Sequence, residues 1–256
     1  MSKSLGVIPA RWGSTRFPGK ALHLIAGQPL LRRVWEQCIR ARELDRLIIA
    51  TDDDRIANAA ATWGAEVALT SSRHLSGTDR VAEVARKRTE FNHIVNIQGD
   101  EPMIDPKLID RLVRELRRDR KLGMITAASR FGSAREVESP HQVKVVVDLN
   151  ERALYFSRAK IPALGRGGHG RDGLIWLRHQ GLYGFTRNVL LRFVRWKPSP
   201  LERAESLEQL RALENGVRIK VVMTGSGSPG VDTPEDVRMI ERLLVSAGRR
   251  FPKSRR

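Results

Sequence analysis

The chain has 256 residues, of which 41% are hydrophobic, so it can bury one sizeable core. Its 46 Lys and Arg residues against 29 Asp and Glu give a formal net charge of +17, which suits anionic partners such as nucleic acid, an acidic membrane surface or small anionic substrates. No apolar run approaches the roughly 20 residues that span a bilayer, and a single cysteine, Cys38, excludes an internal disulfide. We therefore expect a cytoplasmic protein with one large domain.

The distribution of the basic residues narrows these classes of partner. They occur in every predicted helix, and acids lie between them in 110–121, as on a solvated helix face. Only the tail, 249–256, is basic without any acid, and we expect it to be flexible. Aromatic residues make up 5% of the chain, too few to favour a surface that stacks on bases. A solvated basic surface is the favoured interpretation, and a nucleic-acid-binding module is the alternative from another functional class.

A glycine-rich loop follows the first predicted strand. The apolar run 5–10 predicts a buried strand, and the ten residues after it hold two glycines, two hydroxyls and the basic residues Arg11, Arg16 and Lys20. Glycines let backbone N–H groups approach an anion, while hydroxyls and cations bind phosphate oxygens. The glycine spacing is not that of a Walker A loop, and Ala21 stands where that motif needs a hydroxyl. The composition predicts phosphate binding; a basic surface turn is the alternative.

Helical and strand patterns alternate along the rest of the chain. Helices are predicted over 29–42, 55–63, 79–88, from Asp105 and Pro106 onward, over 188–196 and 199–213, and from 233. Strands are predicted over 46–51, 66–69, 93–98, 124–129, 143–148, around 155–156, and over 176–185 and 217–223. Five glycines in 165–173 predict a flexible loop. The order predicts an α/β fold, an open Rossmann-like, mostly parallel sheet flanked by helices, with ligands at the carboxyl ends of its strands.

Several acidic and polar residues at predicted strand ends and helix starts allow two interpretations. Asp52, Asp53 and Asp54 could hold a metal, but a helix N-cap and a negatively charged first turn are favoured. Ser76, Gly77 and Thr78 offer hydroxyls and free N–H groups at a helix start, where an anion can bind, although capping alone would need only one of them.

Two isolated acids, Asp100 and Asp232, each follow a glycine-containing turn. Mg²⁺ prefers one or two carboxylates, supplemented by substrate phosphates and water. The residues alone leave two interpretations open: a pair of metal ligands, or a turn acid at Asp100 and a member of a helix cap at Asp232.

Seven motifs, in order along nearly the whole chain, resemble the sugar-acid cytidylyltransferases, most closely those that act on 3-deoxy-manno-octulosonate (Kdo). They are VIPAR at 7–11 with STRFPGK at 14–20, HLSGTDR at 74–80, NIQGDEP at 96–102, YFSRAKIP at 155–162, HQGLYGF at 179–185, LEQLR at 207–211 and GVDTPED at 230–236. The resemblance implies a single nucleotidyltransferase domain over 1–256, in which 139–185 forms a smaller lobe that supports a homodimer and contributes to the sugar-acid site.

The activity that the resemblance implies is the transfer of a cytidylyl group from CTP to the anomeric hydroxyl of Kdo. This gives CMP-Kdo and pyrophosphate for lipopolysaccharide biosynthesis, by in-line attack assisted by Mg²⁺. A different acceptor, such as 8-amino-Kdo or a sialic-acid-like sugar, is the alternative within the same class.

The resemblance also implies roles for individual residues. Mg²⁺ is expected on Asp100 and Asp232, which are catalytic together with Arg11 and Lys20. The nucleotide is expected to contact Ala10, Arg11, Ser14, Arg16, Lys20, Ser76, Gly77 and Gln98. The sugar acid is expected to contact Arg80, Gln98, Arg158, His179, Tyr183 and Glu208. His179 and Tyr183 also fit an alternative role in the core.

Overall fold

The computed structural model describes residues 2–13, 17–163, 176–225 and 227–248. Its strands are β1 Lys3–Ala10, β2 Leu24–Ile25, β3 Gln28–Pro29, β4 Arg46–Thr51, β5 Glu66–Leu69, β6 Phe91–Asn96, β7 Met124–Arg130, β8 Lys144–Val147, β9 Ala153–Ser157, β10 Leu177–Thr186 and β11 Ile219–Thr224. Its α-helices are α1 Leu30–Cys38, α2 Asp54–Thr62, α3 Gly77–Lys87, α4 Pro106–Arg118, α5 Ala134–Glu138, α6 Arg187–Phe193, α7 Pro200–Glu205, α8 Gln209–Glu214 and α9 Pro234–Gly248. A 3-10 helix spans Lys20–Leu22.

One large sheet runs through the described part of the chain, with its main strands in the order β11-β7-β10-β6-β1-β4-β5. The neighbours β6, β1, β4 and β5 are parallel, and so are β7 and β11. Between these two groups, β10 runs antiparallel to both β6 and β7. The predicted open, mostly parallel sheet is confirmed, with an antiparallel strand near its centre.

Helices cover both faces of this sheet. On one face α1, α4 and α9 bury apolar side chains that include Leu31, Leu112 and Ile240. On the other face α3 and α6 bury Val84 and Leu190. Because both faces are covered, the central strands bury apolar side chains on both sides, with a few buried polar residues such as Thr126 and Gln180 among them.

Two local features differ from the predicted elements. The single helix predicted over 199–213 is divided into α7 and α8, because Ser206 adopts a left-handed backbone conformation (φ 54°, ψ 47°) that no α-helix continues through. A small hairpin, β2–β3, precedes α1, and its turn contains Ala26 and Gly27, both with positive φ. The apolar pattern of α1 did not reveal this hairpin, whose strands have only two residues each.

The segment 139–185, predicted to be a smaller lobe, contributes β8, β9 and most of β10. β8 pairs with β9 and with Leu177 and Arg178 of β10, so this hairpin extends from the central sheet. The predicted flexible loop 165–173 and the basic tail 249–256 lie outside the described residues. The role of this segment in dimerisation stays a prediction. No helix within the described ranges is long and apolar enough to cross a membrane.

Candidate active site

A cleft of about 280 Å³ lies at the carboxyl ends of β1 and β6 and beside the first turn of α3. Its lining brings together nine residues that sequence reasoning assigned to the site: Ala10, Arg11, Lys20, Ser76, Gly77, Arg80, Gln98, Asp100 and Asp232. The remaining two predicted nucleotide contacts, Ser14 and Arg16, lie outside the described residues. The sheet edge that the strand order predicted for ligands is the edge where this cleft lies.

Lys20 joins the two predicted metal ligands. Its Nζ donates to Oδ2 of Asp100 at 2.7 Å and to the carbonyl of Val231 at 2.8 Å, and it lies 3.5 Å from Oδ1 of Asp232. Two carboxylates far apart in sequence therefore lie beside one ammonium group. Positive charge at this point compensates for two like charges that would otherwise repel each other.

The backbone around the two aspartates is held by both neighbouring segments. The N–H of Val231 donates to the carbonyl of Asp100 at 2.9 Å, which links the two loops directly. The N–H of Asp232 donates to the carboxylate of Asp236 at 2.9 Å, in the first turn of α9. Gly99 is needed where the loop passes β1, since a Cβ there would lie 3.0 Å from the carbonyl oxygen of Pro9.

The chemistry of these two carboxylates fits Mg²⁺. Both line the cleft, and an aspartate pair can hold this ion when phosphates and water supply the other ligands. Asp232 takes part in the helix cap through its backbone N–H, which donates to the Asp236 carboxylate together with Thr233, while its own carboxylate lies 3.5 Å from Nζ of Lys20. The assignment of Asp100 and Asp232 as metal ligands stays a prediction.

The run Asp52 to Asp54 does not form a metal cluster. Among the described residues, no group of three or more His, Cys, Asp or Glu could hold a metal ion. The favoured cap interpretation is confirmed for Asp53, whose carboxylate accepts from the N–H groups of Arg55 and Ile56 at the start of α2. Asp52 instead pairs with Arg80, with 2.9 Å between Oδ2 and the guanidinium.

Arg80 lines the cleft, but its guanidinium is engaged inside the protein. The side chain is only 4% exposed, and besides Asp52 it donates to the hydroxyl of Thr70. Asp52 follows β4 and Thr70 follows β5, so the pair joins two strand ends to α3. Its surroundings are those of a structural ion pair, and the predicted contact of Arg80 with the sugar acid stays a prediction.

Ser76 and Gly77 form the part of the cleft at the start of α3. The Ser76 hydroxyl accepts from the N–H of Asp79 at 3.1 Å, while the Asp79 carboxylate accepts from the Ser76 N–H at 3.1 Å, so the two residues form a capping box. A Cβ at Gly77 would lie 3.2 Å from Cγ of Pro9. The glycine therefore allows the helix start to pack closely against the end of β1.

Four predicted sugar-acid contacts are not among the described residues that line the cleft: Arg158, His179, Tyr183 and Glu208. The Arg158 guanidinium donates through Nε to the carbonyl of Glu205 at 2.9 Å. Burial raises the pKa of Glu208, whose carboxylate accepts from the Thr78 hydroxyl at 2.5 Å. Their role in binding a sugar acid stays a prediction.

His179 and Tyr183 lie in a polar and aromatic cluster on β10. Nε2 of His179 is 2.9 Å from the hydroxyl of Thr126, and its ring packs edge-on against Phe156. Desolvation lowers the pKa of His179 to about 3 and raises the pKa of Tyr183 well above its ordinary value. These are the surroundings described by the alternative core interpretation of both residues.

His74 lies in one of the seven motifs and lines the cleft, although its residue type and position in the sequence indicate no role for it. Its Nε2 is 2.6 Å from the carboxylate of Glu83 on α3. Burial acts in the opposite direction, but hydrogen bonds from Lys87, the Ser71 N–H and His74 lower the pKa of Glu83 to about 2. Glu83 thus holds the loop that precedes α3. In the sequence, the four-residue spacing of Glu83 and Lys87 within a predicted helix indicates the contact between these two side chains, but not the contact with His74.

A family model described as Cytidylyltransferase matches residues 5–219, which is most of the chain. The chain belongs to the cytidylyltransferase family. This cytidylyltransferase is 50% identical over 248 residues to the 3-deoxy-manno-octulosonate cytidylyltransferase of Solibacter usitatus, with 96% of each chain covered. It is 46% identical over 249 residues to the protein of that name from Geobacter metallireducens, with 94% of this chain and 98% of the other covered.

A solved structure of CMP:2-keto-3-deoxy-manno-octonic acid synthetase complexed with CTP gives a TM-score of 0.90 at 38% identity, and the match covers 96% of this chain and 99% of that one. The resemblance carried by the seven motifs is therefore confirmed at the level of the family and of the fold.

Proposed function

We propose that this cytidylyltransferase transfers the cytidylyl group of CTP to the anomeric hydroxyl of Kdo and releases pyrophosphate. The observation that carries the proposal is the meeting of Lys20, Asp100 and Asp232 at the strand ends, in a cleft that Arg11 also lines. Close relatives carry the name of this activity over nearly the full length of the chain. A 3-deoxy sugar acid and a triphosphate are both anions, which agrees with a cleft rich in cationic side chains.

The reaction needs positioning and charge compensation, and no covalent enzyme intermediate. The anomeric hydroxyl attacks the α-phosphorus in line and loses its proton to water, a new P–O bond forms, and the bond to the leaving pyrophosphate breaks. Arg11 and Lys20 bind and neutralise the phosphate oxygens as negative charge moves onto pyrophosphate. The backbone N–H groups near Ser76 and Gly77 offer further donors at a helix start.

Asp100 and Asp232 are the residues that would hold Mg²⁺. When bound there, the ion supplies positive charge to phosphate oxygens and lowers the pKa of the attacking hydroxyl. The Lys20 ammonium lies beside both carboxylates in the structure, and it can exchange to phosphate oxygens when the nucleotide enters with its cation. Gln98, whose amide donates to the Gly181 carbonyl at 3.0 Å, presents its carbonyl oxygen as a hydrogen-bond acceptor for a substrate hydroxyl.

The proposed product indicates the pathway and the cellular compartment of the reaction. CMP-Kdo is an activated sugar for lipopolysaccharide biosynthesis, and we place its formation in the cytoplasm. We also propose a homodimer to which the segment 139–185 contributes.

The test is pyrophosphate release with the purified protein. CTP, ATP, GTP and UTP are each combined with Kdo, and CTP is then combined with 8-amino-Kdo and a sialic acid, with and without EDTA. We expect release with CTP and Kdo that EDTA abolishes. A higher kcat/KM with another sugar acid would reassign the acceptor, and no release with any acid would overturn the proposal.

A further inference from the structure

Strand β10 contains a β-bulge directly behind the two aspartate loops. Its register against β7 shifts between Gln180 and Tyr183. The hydroxyl of Thr126, on β7, lies 3.1 Å from the carbonyl of Gln180 and 2.8 Å from that of Leu182. Bulges are frequent beside active sites, where they change the direction of a side chain and end regular pairing.

The main chain of this bulge contacts the loop that carries Asp100. The carbonyl of Gly181 accepts from Nε2 of Gln98 at 3.0 Å, two residues before the aspartate. A Cβ at Gly181 would lie 3.4 Å from Cγ of Gln98, so the two segments are in close contact.

The side chain of Gln180 contacts the loop that carries Asp232. Gln180 is 7% exposed, and its amide donates to the hydroxyl of Ser129 at 3.2 Å and accepts from the N–H of Ser228 at 3.4 Å. A Cβ at Gly227 would lie 2.8 Å from Nε2 of Gln180, so a side chain at this position would require the amide to move. Val231, further along this loop, is bonded to the Asp100 carbonyl.

We propose that Gln180 is a positioning residue for the transfer reaction, which orients Asp232 by holding the loop 227–231 against the bulge. The inference rests on the proposed function for the role of Asp232 as a metal ligand. Through the same bulge the main chain holds Gln98 next to Asp100, so one irregularity in the sheet sets the positions of both carboxylates. A glutamine suits this place because one amide offers both a donor for Ser129 and an acceptor for Ser228.

If Gln180 had a purely structural role, its replacement would have different effects. A buried amide that only satisfies Ser129 would lower stability when replaced, and the loop and the metal affinity would not change. Orientation of a ligand by a neighbouring group typically changes metal affinity by tenfold or more. The two roles therefore differ in what is measured at the loop and at the metal.

The test compares Gln180→Met with Gln209→Met. Gln209 is a matched control because it is also buried and lies on α8, and its Nε2 has no hydrogen-bond partner in the described structure. Hydrogen exchange of 227–232 is measured by mass spectrometry in the protein without ligands. Mn²⁺ affinity in the presence of CTP is measured by electron paramagnetic resonance.

We expect Gln180→Met to speed exchange in 227–232 and to weaken Mn²⁺ binding by roughly tenfold, while Gln209→Met changes neither. Gly227→Ala should give the same two changes, because the added Cβ displaces the Gln180 amide, and it carries the test if Gln180→Met does not fold. Folded variants with unchanged exchange and unchanged Mn²⁺ affinity would overturn the inference. The exchange result is independent of turnover, so a wild-type protein without transferase activity would refute the proposed function and leave the anchoring of the loop measurable.

Discussion

Asp100, Asp232 and Lys20 lie at the open edge of the sheet, whereas His179, Tyr183 and Glu208 lie deeper, beside and along β10. The carboxylate side chains at the edge are 29% and 53% exposed, so a substrate can reach them. In the deeper group, desolvation shifts the pKa of every member away from the charged form. The edge carboxylates lie beside the Lys20 ammonium, whereas in the deeper group desolvation disfavours the charged forms.

This contrast predicts different consequences of mutation in the two regions. Residues at the edge should affect turnover and metal binding, with little change in stability. Residues engaged inside the protein should affect stability first, because their partners would lose hydrogen bonds or charge compensation in a desolvated place.

The largest effect is expected at the edge. Asp100→Asn removes one of two carboxylates from the proposed metal site, and we expect kcat to fall by about 10³-fold, the scale seen when one electrostatic contact to a transition state is lost. The melting temperature should change little. Asp105→Asn is the control, because asparagine caps helix α4 as well as aspartate does. Pyrophosphate release near the normal rate in Asp100→Asn would remove Asp100 from the catalytic group.

The Asp52–Arg80 pair tests whether Arg80, which lines the cleft, behaves like the residues engaged inside the protein and affects stability first. Asp52→Ala leaves a buried guanidinium without its carboxylate, and we expect the free energy of unfolding to fall by about 3 kcal/mol. Urea denaturation measures this change. Asp54→Ala, at an exposed position in the first turn of α2, should cost less than about 1 kcal/mol. Equal losses in the two variants would contradict a structural role for the pair.

Lys20 combines features of both groups of residues. It lies beside both aspartates, and it is proposed to bind phosphates. Lys20→Met should lower kcat/KM for CTP by about 10²-fold, because it removes positive charge from the leaving pyrophosphate. The fold should survive, as the change leaves two carboxylates at a partly exposed edge. Lys107→Met, at an exposed position of α4, is the control. Unchanged steady-state constants for Lys20→Met would remove the lysine from the nucleotide site.

The strand ends and caps could be predicted from the sequence, since local chemistry decides them. The bounds of β4 and β5 agree with the prediction, and Asp105 caps α4 as expected. Because the carboxyl ends of parallel strands meet at one edge, the sequence predicts that the loop after β1 and Asp100 after β6 lie together. The order of the strands and helices along the chain therefore predicts which edge of the sheet carries the site.

Side-chain partners and long-range pairing could not be predicted in this way. No local pattern indicates that β10 inserts antiparallel between β6 and β7, because that choice depends on pairs that are distant along the chain, such as Phe185 with Ile94 and with Met124. The same applies to Arg80, whose motif does not show whether its guanidinium points at substrate or at Asp52. The bulge and the left-handed Ser206 are likewise set by tertiary packing.

The smallest predicted effect concerns pH and the deeper group. Because desolvation lowers the pKa of His179 from 6.5 to about 3, the folded protein keeps this ring neutral while the unfolded chain protonates it. The resulting stability is fully present above pH 6.5 and is lost as the pH falls from 6.5 towards 3. Between pH 6.5 and 5, we expect the wild type to lose on the order of 1 kcal/mol more than His179→Gln does. Urea denaturation at several pH values measures the difference, with His141→Gln at an exposed position as the control. Parallel curves for the wild type and His179→Gln would mean that the ring binds protons equally in the folded and unfolded chains, which would contradict the desolvated surroundings described for His179.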